Sequence, residues 1–185
     1  MEIRKLKSIE RKKFKTIRGK STLEERNNIK KNVEIFINSY LTHKKIIRYV
    51  AIYWPLKNEI DLRSLKEKYP VALPKCQPNK QIEFFIWDDT SLKDDIHGIP
   101  SPDNGRLLNS KEVSIIFVPC LSIDKKLIRL GYGGGYFDRL RNDLGWRSIP
   151  CIGILTETCV SKNLLIKAEW DIPLSGFITD KRISV

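Results

Sequence analysis

Four glycines fall within five residues, at positions 131, 133, 134 and 135, inside Arg129-Leu-Gly-Tyr-Gly-Gly-Gly-Tyr-Phe-Asp-Arg-Leu140. Glycine permits positive φ and lets backbone N–H groups approach a ligand with no Cβ in the way. Successive N–H groups in such a turn form a nest for an anion. Downstream, a helix is predicted from Gly135 or Tyr136 to about Leu144, with Gly145 as its C-terminal stop. The nest would then lie at a helix N-terminus, where the macrodipole also favours phosphate. Arg129 and Arg139 flank the turn and could contact phosphate oxygens. Asp138, in the first helical turn, could hold Mg²⁺ against the same phosphates. The spacing is neither G-x-x-x-x-G-K-[ST] nor G-x-G-x-x-G, since position 136 is Tyr. The alternative is a glycine-rich turn of purely structural use.

Glu59 lies five residues beyond Trp54, past the end of an expected strand. Its carboxylate could accept hydrogen bonds from the donor edge of a pterin or purine ring, and Trp54 could stack on such a ring. The plainer reading of Glu59 is an acid at a helix entry. Asp171, before Ile172-Pro173, reads on its own as a turn former. The four cysteines (76, 120, 151 and 159) include no C-x-x-C pair, and the histidines are only His43 and His97. Neither a zinc site nor a disulfide framework is expected from that set, and reduced thiols in a cytosol are.

These residues must be positioned by a scaffold. Ile46–Trp54 is β-branched and aromatic and reads as a buried strand ended by Pro55. Asp61 can cap a short helix, Leu62–Tyr69. Further strands are predicted at Val71–Leu73 (stopped by Pro74), Ile82–Trp87, Val113–Val118 (ended by Pro119), Ile149–Leu155 and Phe177–Thr179, with residues 88–110 as a long loop. Strands separated by helical segments point to an α/β fold: one domain spanning 1–185, with a mostly parallel, Rossmann-like sheet flanked by helices. The glycine-rich loop would follow a central strand, and ligands of such sheets bind beyond the carboxyl ends of the strands.

The 185 residues carry a net charge of +12. Residues 1–48 hold 15 Lys/Arg against 5 Asp/Glu, so nearly all the excess sits there. Ile29, Val33, Phe36, Ile37 and Tyr40 make one apolar helix face, with Ser21 or Thr22 as its N-cap. An earlier helix would carry Ile3, Leu6 and Ile9 on one side. Residues 1–45 are therefore predicted to be a basic helical segment packed on the α/β core. Its charge suits a solvated face, a nucleic-acid surface or a site for a small polyanion such as a nucleoside triphosphate. No zinc-finger spacing, RNP-like aromatic motif or basic region with heptads supports nucleic acid. No apolar run reaches the ~18 residues of a membrane span, and the basic N-terminus lacks the apolar stretch of a signal peptide. A soluble cytoplasmic protein is expected.

Val118-Pro119, Asp124 and then the stretch 129–140 resemble the signature of the 5-formyltetrahydrofolate cyclo-ligase (methenyltetrahydrofolate synthetase) family. The resemblance spans nearly the whole chain. It takes in Lys7 and Arg11 ahead of Leu-Glu-Glu-Arg at 23–26, Glu59-Ile60, Leu73-Pro74, Gly98-Ile99, Ile152-Gly153 and Glu169–Asp171. It implies a compact α/β domain and an ATP- and Mg²⁺-dependent ring closure. The formyl oxygen of 5-formyltetrahydrofolate is phosphorylated, N10 attacks the activated carbon, and 5,10-methenyltetrahydrofolate, ADP and phosphate result.

Residue by residue, the resemblance implies ATP contacts at Lys7, Arg11, Arg129, Leu130, Gly131, Tyr132, Gly133, Gly134, Gly135, Tyr136 and Phe137. Trp54, Glu59 and the stretch Tyr132–Tyr136 would line the folate side. Asp138 and Asp171 would be the Mg²⁺ ligands, and Arg129, Tyr136 and Arg139 the catalytic residues. The implied partners are ATP and 5-formyltetrahydrofolate, including polyglutamylated forms, with no specific nucleic acid, no membrane and a monomeric state. A nucleic-acid or polyanion-binding module using the basic N-terminal segment, or another ATP-dependent ligase on the same scaffold, is the alternative. The sequence departs from the family pattern at Cys120 (commonly glycine), Ile123 (aromatic), Ser101 (Glu or Gln), Cys159 (Gln) and Trp170 (His). None removes a phosphate or metal position; Ser101 and Cys159 bear on the finer folate contacts.

Overall fold

The basic N-terminal segment folds as two helices, α1 (Glu2–Arg18) and α2 (Leu23–Thr42), in a computed structural model that describes residues 2–42, 48–88 and 91–185. Thr22 starts α2 with a capping box. Its hydroxyl accepts from the Glu25 N–H at 3.1 Å, and the Glu25 carboxylate accepts from the Thr22 N–H at 2.7 Å. Ile29, Val33, Phe36 and Ile37 are the buried face of α2, as their spacing requires. On α1, Ile3, Leu6 and Ile9 share a side as expected, but that side faces solvent at 46 %, 41 % and 59 % exposure. The inward stripe is instead Lys7, Arg11, Phe14 and Arg18, at steps of four, three and four.

Eleven strands follow among the described residues: β1 (Tyr49–Ala51), β2 (Val71–Cys76), β3 (Ile82–Ile86), β4 (Leu92–Asp94), β5 (Pro100–Pro102), β6 (Val113–Pro119), β7 (Ser122–Ile123), β8 (Arg129–Leu130), β9 (Cys151–Ile154), β10 (Gly176–Ile178) and β11 (Ile183–Ser184). Seven form one sheet in the order β11-β10-β9-β6-β1-β2-β3. The five inner strands are parallel; β3 and β11 close the edges antiparallel. Ile46 and Ile47 of the expected first strand lie outside the described residues. Strand order runs one way from β1 to β2 and the other way to β6, β9 and β10, so the sheet reverses direction between β1 and β6. Such a switch point opens a crevice at the carboxyl ends of the strands. The two faces are buried by different groups. One is covered by α2 and includes Val50, Ile52, Ile115, Phe117 and Ile152. The other packs Ala51, Ile116, Val118 and Leu130 against Phe14 of α1. No described helix is long and apolar enough to cross a membrane.

Four expectations need correction. Pro74 does not stop β2, which continues to Cys76 and pairs Pro74 with Phe84 of β3. The Ala72 carbonyl accepts from Ile52 on the β1 side, so two residues on Pro74 turns its missing N–H to that same side, past the last paired residue of β1. The helix at Leu62–Tyr69 is only a 3₁₀ segment, Arg63–Glu67, which Asp61 leads by accepting from the Arg63 N–H at 3.0 Å. The loop at 88–110 contains the β4–β5 hairpin, turned at Asp95–Gly98. Gly145 does not stop a helix running from 136. That run divides into α3 (Tyr136–Leu140) and α4 (Leu144–Arg147), because Asp143 accepts from the Trp146 N–H and caps a new turn. Gly145 sits inside α4, where a Cβ would lie 2.7 Å from Ser110 Oγ.

Candidate functional site

Several of the candidate residues gather at the switch point. Chain leaving β1 brings Tyr53 and Glu59, chain at the end of β6 brings Pro119 and Cys120, and chain after β9 brings Leu155 and Thr156. Together with Arg18 of α1 they enclose a cavity of about 10 Å³, room for one water-sized group. Glu59 is buried; one oxygen, Oε2, accepts from the Leu56 N–H at 2.8 Å. Burial pushes its carboxyl above the ordinary value, and Leu56 and Arg18 oppose the rise. Arg18 Nη1 stands 3.6 Å from Glu59 Oε1, and Arg18 Nη2 donates to the Tyr132 hydroxyl. Burial beside Glu59 pushes the Tyr132 phenol up to about 12.

Tyr132 begins the glycine turn. Gly133 (φ 104°) and Gly135 (φ 72°) occupy the left-handed region, which explains glycine at both. Among the described residues, the N–H groups of Gly133, Gly134 and Gly135 have no hydrogen-bond acceptor. Three guanidinium groups ring the turn. Arg11 Nε donates to the Gly131 carbonyl at 2.9 Å, and Arg139 Nη1 donates to the Gly134 carbonyl at 3.0 Å. Arg129 reaches Pro119 O at 3.4 Å and Asp138 Oδ1 at 3.2 Å, with Phe137 beneath its plane at 5.3 Å. A Cβ on Gly131, Gly133 or Gly135 would meet Arg129, Arg11 or Arg139 respectively, at 3.1, 3.2 and 2.7 Å. α3 is only five residues long, so the helix dipole expected behind the turn is short. The positive field comes from the three arginines.

The two carboxylates expected to bind metal are each held by a cation. Asp138 pairs with Arg129 and is 30 % exposed. Asp171 is buried against Lys7 and accepts from the Ala168 N–H at 2.7 Å. The structure thus joins Lys7 to Asp171 and Arg129 to Asp138, while no group of three potential metal ligands occurs among the described residues. Magnesium commonly takes one or two carboxylates together with phosphate oxygens and water. Asp138 fits that role. Asp171 fits it only by releasing Lys7.

The Trp54 ring is engaged by other side chains than Glu59. It meets Trp87 edge-on at 6.0 Å and carries the Arg63 guanidinium at 4.5 Å. Asp124 is a structural knot, accepting from the N–H groups of Lys126, Ile128 and Leu165 at 2.8, 3.0 and 2.9 Å. Cys120 abuts Gly153, where a Cβ would come 2.8 Å from its sulfur. Ser101 is buried and donates to Lys93 O at 3.2 Å, Cys159 is buried, and Trp170 is exposed. Sequence reasoning missed Arg18, His97 and Arg141. Arg18 carried a signal: it continues the Lys7, Arg11, Phe14 spacing of α1. His97, in the β4–β5 turn, meets the Tyr136 hydroxyl through Nε2, and Arg141 donates to Pro173 O at 2.5 Å beside Asp171. Both are contacts of tertiary structure with no local sequence signal.

An open, mainly parallel sheet with a cationic glycine turn at its switch point defines an α/β protein with its ligand face at the carboxyl ends of the strands. Comparison with known proteins then fixes the family. The model of the 5-formyltetrahydrofolate cyclo-ligase family matches residues 3–180, and the chain belongs to that family of enzymes. It is similar to the 5-formyltetrahydrofolate cyclo-ligase of Haemophilus influenzae, 29 % identical over 144 residues, covering 72 % of this chain and 76 % of the relative. Among solved structures it resembles the 5,10-methenyltetrahydrofolate synthetase of Aquifex aeolicus, with TM-score 0.79 and 30 % identity over 97 % of this chain and 92 % of that one. The Mycoplasma pneumoniae 5,10-methenyltetrahydrofolate synthetase, at 24 % identity and TM-score 0.72 over 94 % and 98 %, shares the fold.

Proposed function

We propose that this chain converts 5-formyltetrahydrofolate and ATP to 5,10-methenyltetrahydrofolate, ADP and phosphate through a phosphorylated formyl intermediate. The observation that carries this reading is the glycine turn ringed by Arg11, Arg129 and Arg139 beside the Glu59 cavity. An amide-like formyl oxygen is a poor leaving group, and its phosphate ester is a good one. The protein has to align two substrates and neutralise charge, with no nucleophile of its own.

The unpartnered N–H groups of Gly133–Gly135 and the three guanidiniums would cradle the triphosphate, with Lys7 reaching it from α1. Arg129 and Arg139 would stabilise charge on the transferring phosphoryl group, and Tyr136 would close the turn over it. Glu59 would accept from the pterin edge, with Tyr132 beside it. Trp54 would serve the folate side from beyond Arg63. Asp138 would hold Mg²⁺, which when bound neutralises charge between the phosphates, and Asp171 would orient Lys7 or join Asp138. The net charge of residues 1–48 would attract polyglutamylated folate. The protein would act as a cytoplasmic monomer. A nucleic-acid role loses ground, since Lys7, Arg11 and Arg18 turn inward.

The test is spectrophotometric. Purified protein, Mg-ATP and 5-formyltetrahydrofolate should give a near-ultraviolet rise from the conjugated methenyl product, absent when ATP or Mg²⁺ is omitted. A flat trace from folded protein that binds ATP would overturn the substrate assignment.

A further inference from the structure

Arg18 has no part in the phosphate chemistry just described, yet it is one of the most buried charges in the chain, at 5 % exposure. Its Nη2 is occupied by the Tyr132 hydroxyl and by Lys57 O at 3.3 Å. Its Nε and Nη1 have no hydrogen-bond partner, and neither does Glu59 Oε1. These orphans face one another: Nη1 and Oε1 are 3.6 Å apart, too far for a hydrogen bond, on the wall of the same cavity. A buried donor and acceptor left unmade are costly to the protein. A pair held open beside a cavity by fixed outer contacts is instead suited to an inserted polar group. Glu59 cannot swing to close the gap while Oε2 is held by Leu56, and Arg18 is tied on its other side to Lys57 and Tyr132.

We propose that Arg18 is a specificity-determining residue of this site, and that the Arg18–Glu59 pair takes the edge of a heterocycle bearing a donor N–H next to an acceptor carbonyl, the cavity of about 10 Å³ widening to admit the two edge atoms. The N–H is given to Glu59 Oε1, and the carbonyl accepts from Arg18. A carboxylate alone selects any donor edge. The guanidinium adds a requirement for an oxo group and rejects an amino group, because an amine there leaves two donors facing each other. This rests on the folate reading of the Glu59 side and extends it to a residue on another element.

The experiment measures dissociation constants of two probes, 2-amino-4-oxopteridine and 2,4-diaminopteridine, by calorimetry. The wild-type protein, Arg18→Gln, Arg18→Lys and Glu59→Gln are compared, each checked for its melting transition. Wild type should prefer the oxo probe by roughly tenfold or more, Arg18→Gln should erase the preference, and Arg18→Lys should restore part of it. Glu59→Gln should weaken both probes. A wild type that binds neither probe, or binds both equally, overturns the proposal; so does an Arg18→Gln protein that keeps the preference. If Arg18→Gln does not fold, Arg18→Lys decides, because full wild-type preference for a single ammonium donor would remove the need for the fork. Turnover is followed in parallel. An active wild type without discrimination removes this inference alone, and a discriminating but inactive wild type removes the cyclo-ligase reading alone.

Discussion

Asp138 stands with Arg129 at 3.2 Å and part of its carboxylate open to solvent, so its removal frees a buried guanidinium and deletes the proposed metal ligand at once. Asp138→Ala should lower kcat/KM for cyclisation by about 10²-fold or more, read by steady-state kinetics against Mg-ATP; retained turnover would remove the metal role. At Glu59 the sign of a pH effect follows from burial. Its folded carboxyl titrates above the ordinary value, so its contribution to stability is complete below that ordinary value and lost as pH rises through the folded one. Denaturation of wild type and Glu59→Gln across the acid range should show wild type losing ground to the variant as pH rises. A constant difference would mean the shift is absent. The gathering of glycines and arginines at 129–139 was legible from residue types alone, and the structure shows Gly133 and Gly135 in the left-handed region with Arg11, Arg129 and Arg139 around them. The Lys7–Asp171 pair was not legible as a pair: 164 residues separate its members, and nothing local in Ala168–Asp171 tells a turn former from an ion-pair partner.

Among the elements, the parallel core strands were readable because each belongs to a short apolar run, with β-branched or aromatic residues, bounded by turn formers. Their limits were less so. Pro74 is harmless where its missing N–H points past a neighbour that has ended, and that geometry belongs to the partner strand. Gly145 reads as a helix stop in the sequence, and only the Asp143 side chain, which caps a new turn two residues earlier, places it inside a helix. Two substitutions probe the elements that set the site. In β9, Gly153→Ala would drive a methyl to 2.8 Å from Cys120 Sγ and 3.0 Å from Leu174. Urea denaturation should register a loss of about 1–3 kcal/mol. At the entry to α3, Gly135→Ala must hold φ near 72° and crowd Arg139 at 2.7 Å. A cost of about 1–2 kcal/mol is expected from the backbone alone. A raised KM for ATP should accompany it, checked by initial rates.

For the whole molecule, the fold class followed from the alternation of strands and helical runs. The position of the crevice did not, because it depends on strand order, and strand order depends on which pairs form. The charge asymmetry was visible at once, although its direction was not. If the excess of +10 in residues 1–48 draws in anionic folates, kcat/KM for a triglutamylated substrate should fall with ionic strength more steeply than for the monoglutamate; equal slopes would count against it. The orientation of α1 has one more outcome. Besides Phe14 and the partly buried Ile17, α1 is joined to the rest of the molecule by Lys7 with Asp171, Arg11 with Gly131, and Arg18 with Glu59, Lys57 and Tyr132. A helix attached by polar tethers with so little apolar burial belongs to the class of segments that open locally before the rest of the fold. Two of those tethers are the groups proposed to grip a triphosphate. The amide protons of α1 should therefore exchange faster than those of β6 and β9 in the free protein, and slow down selectively when nucleotide is added.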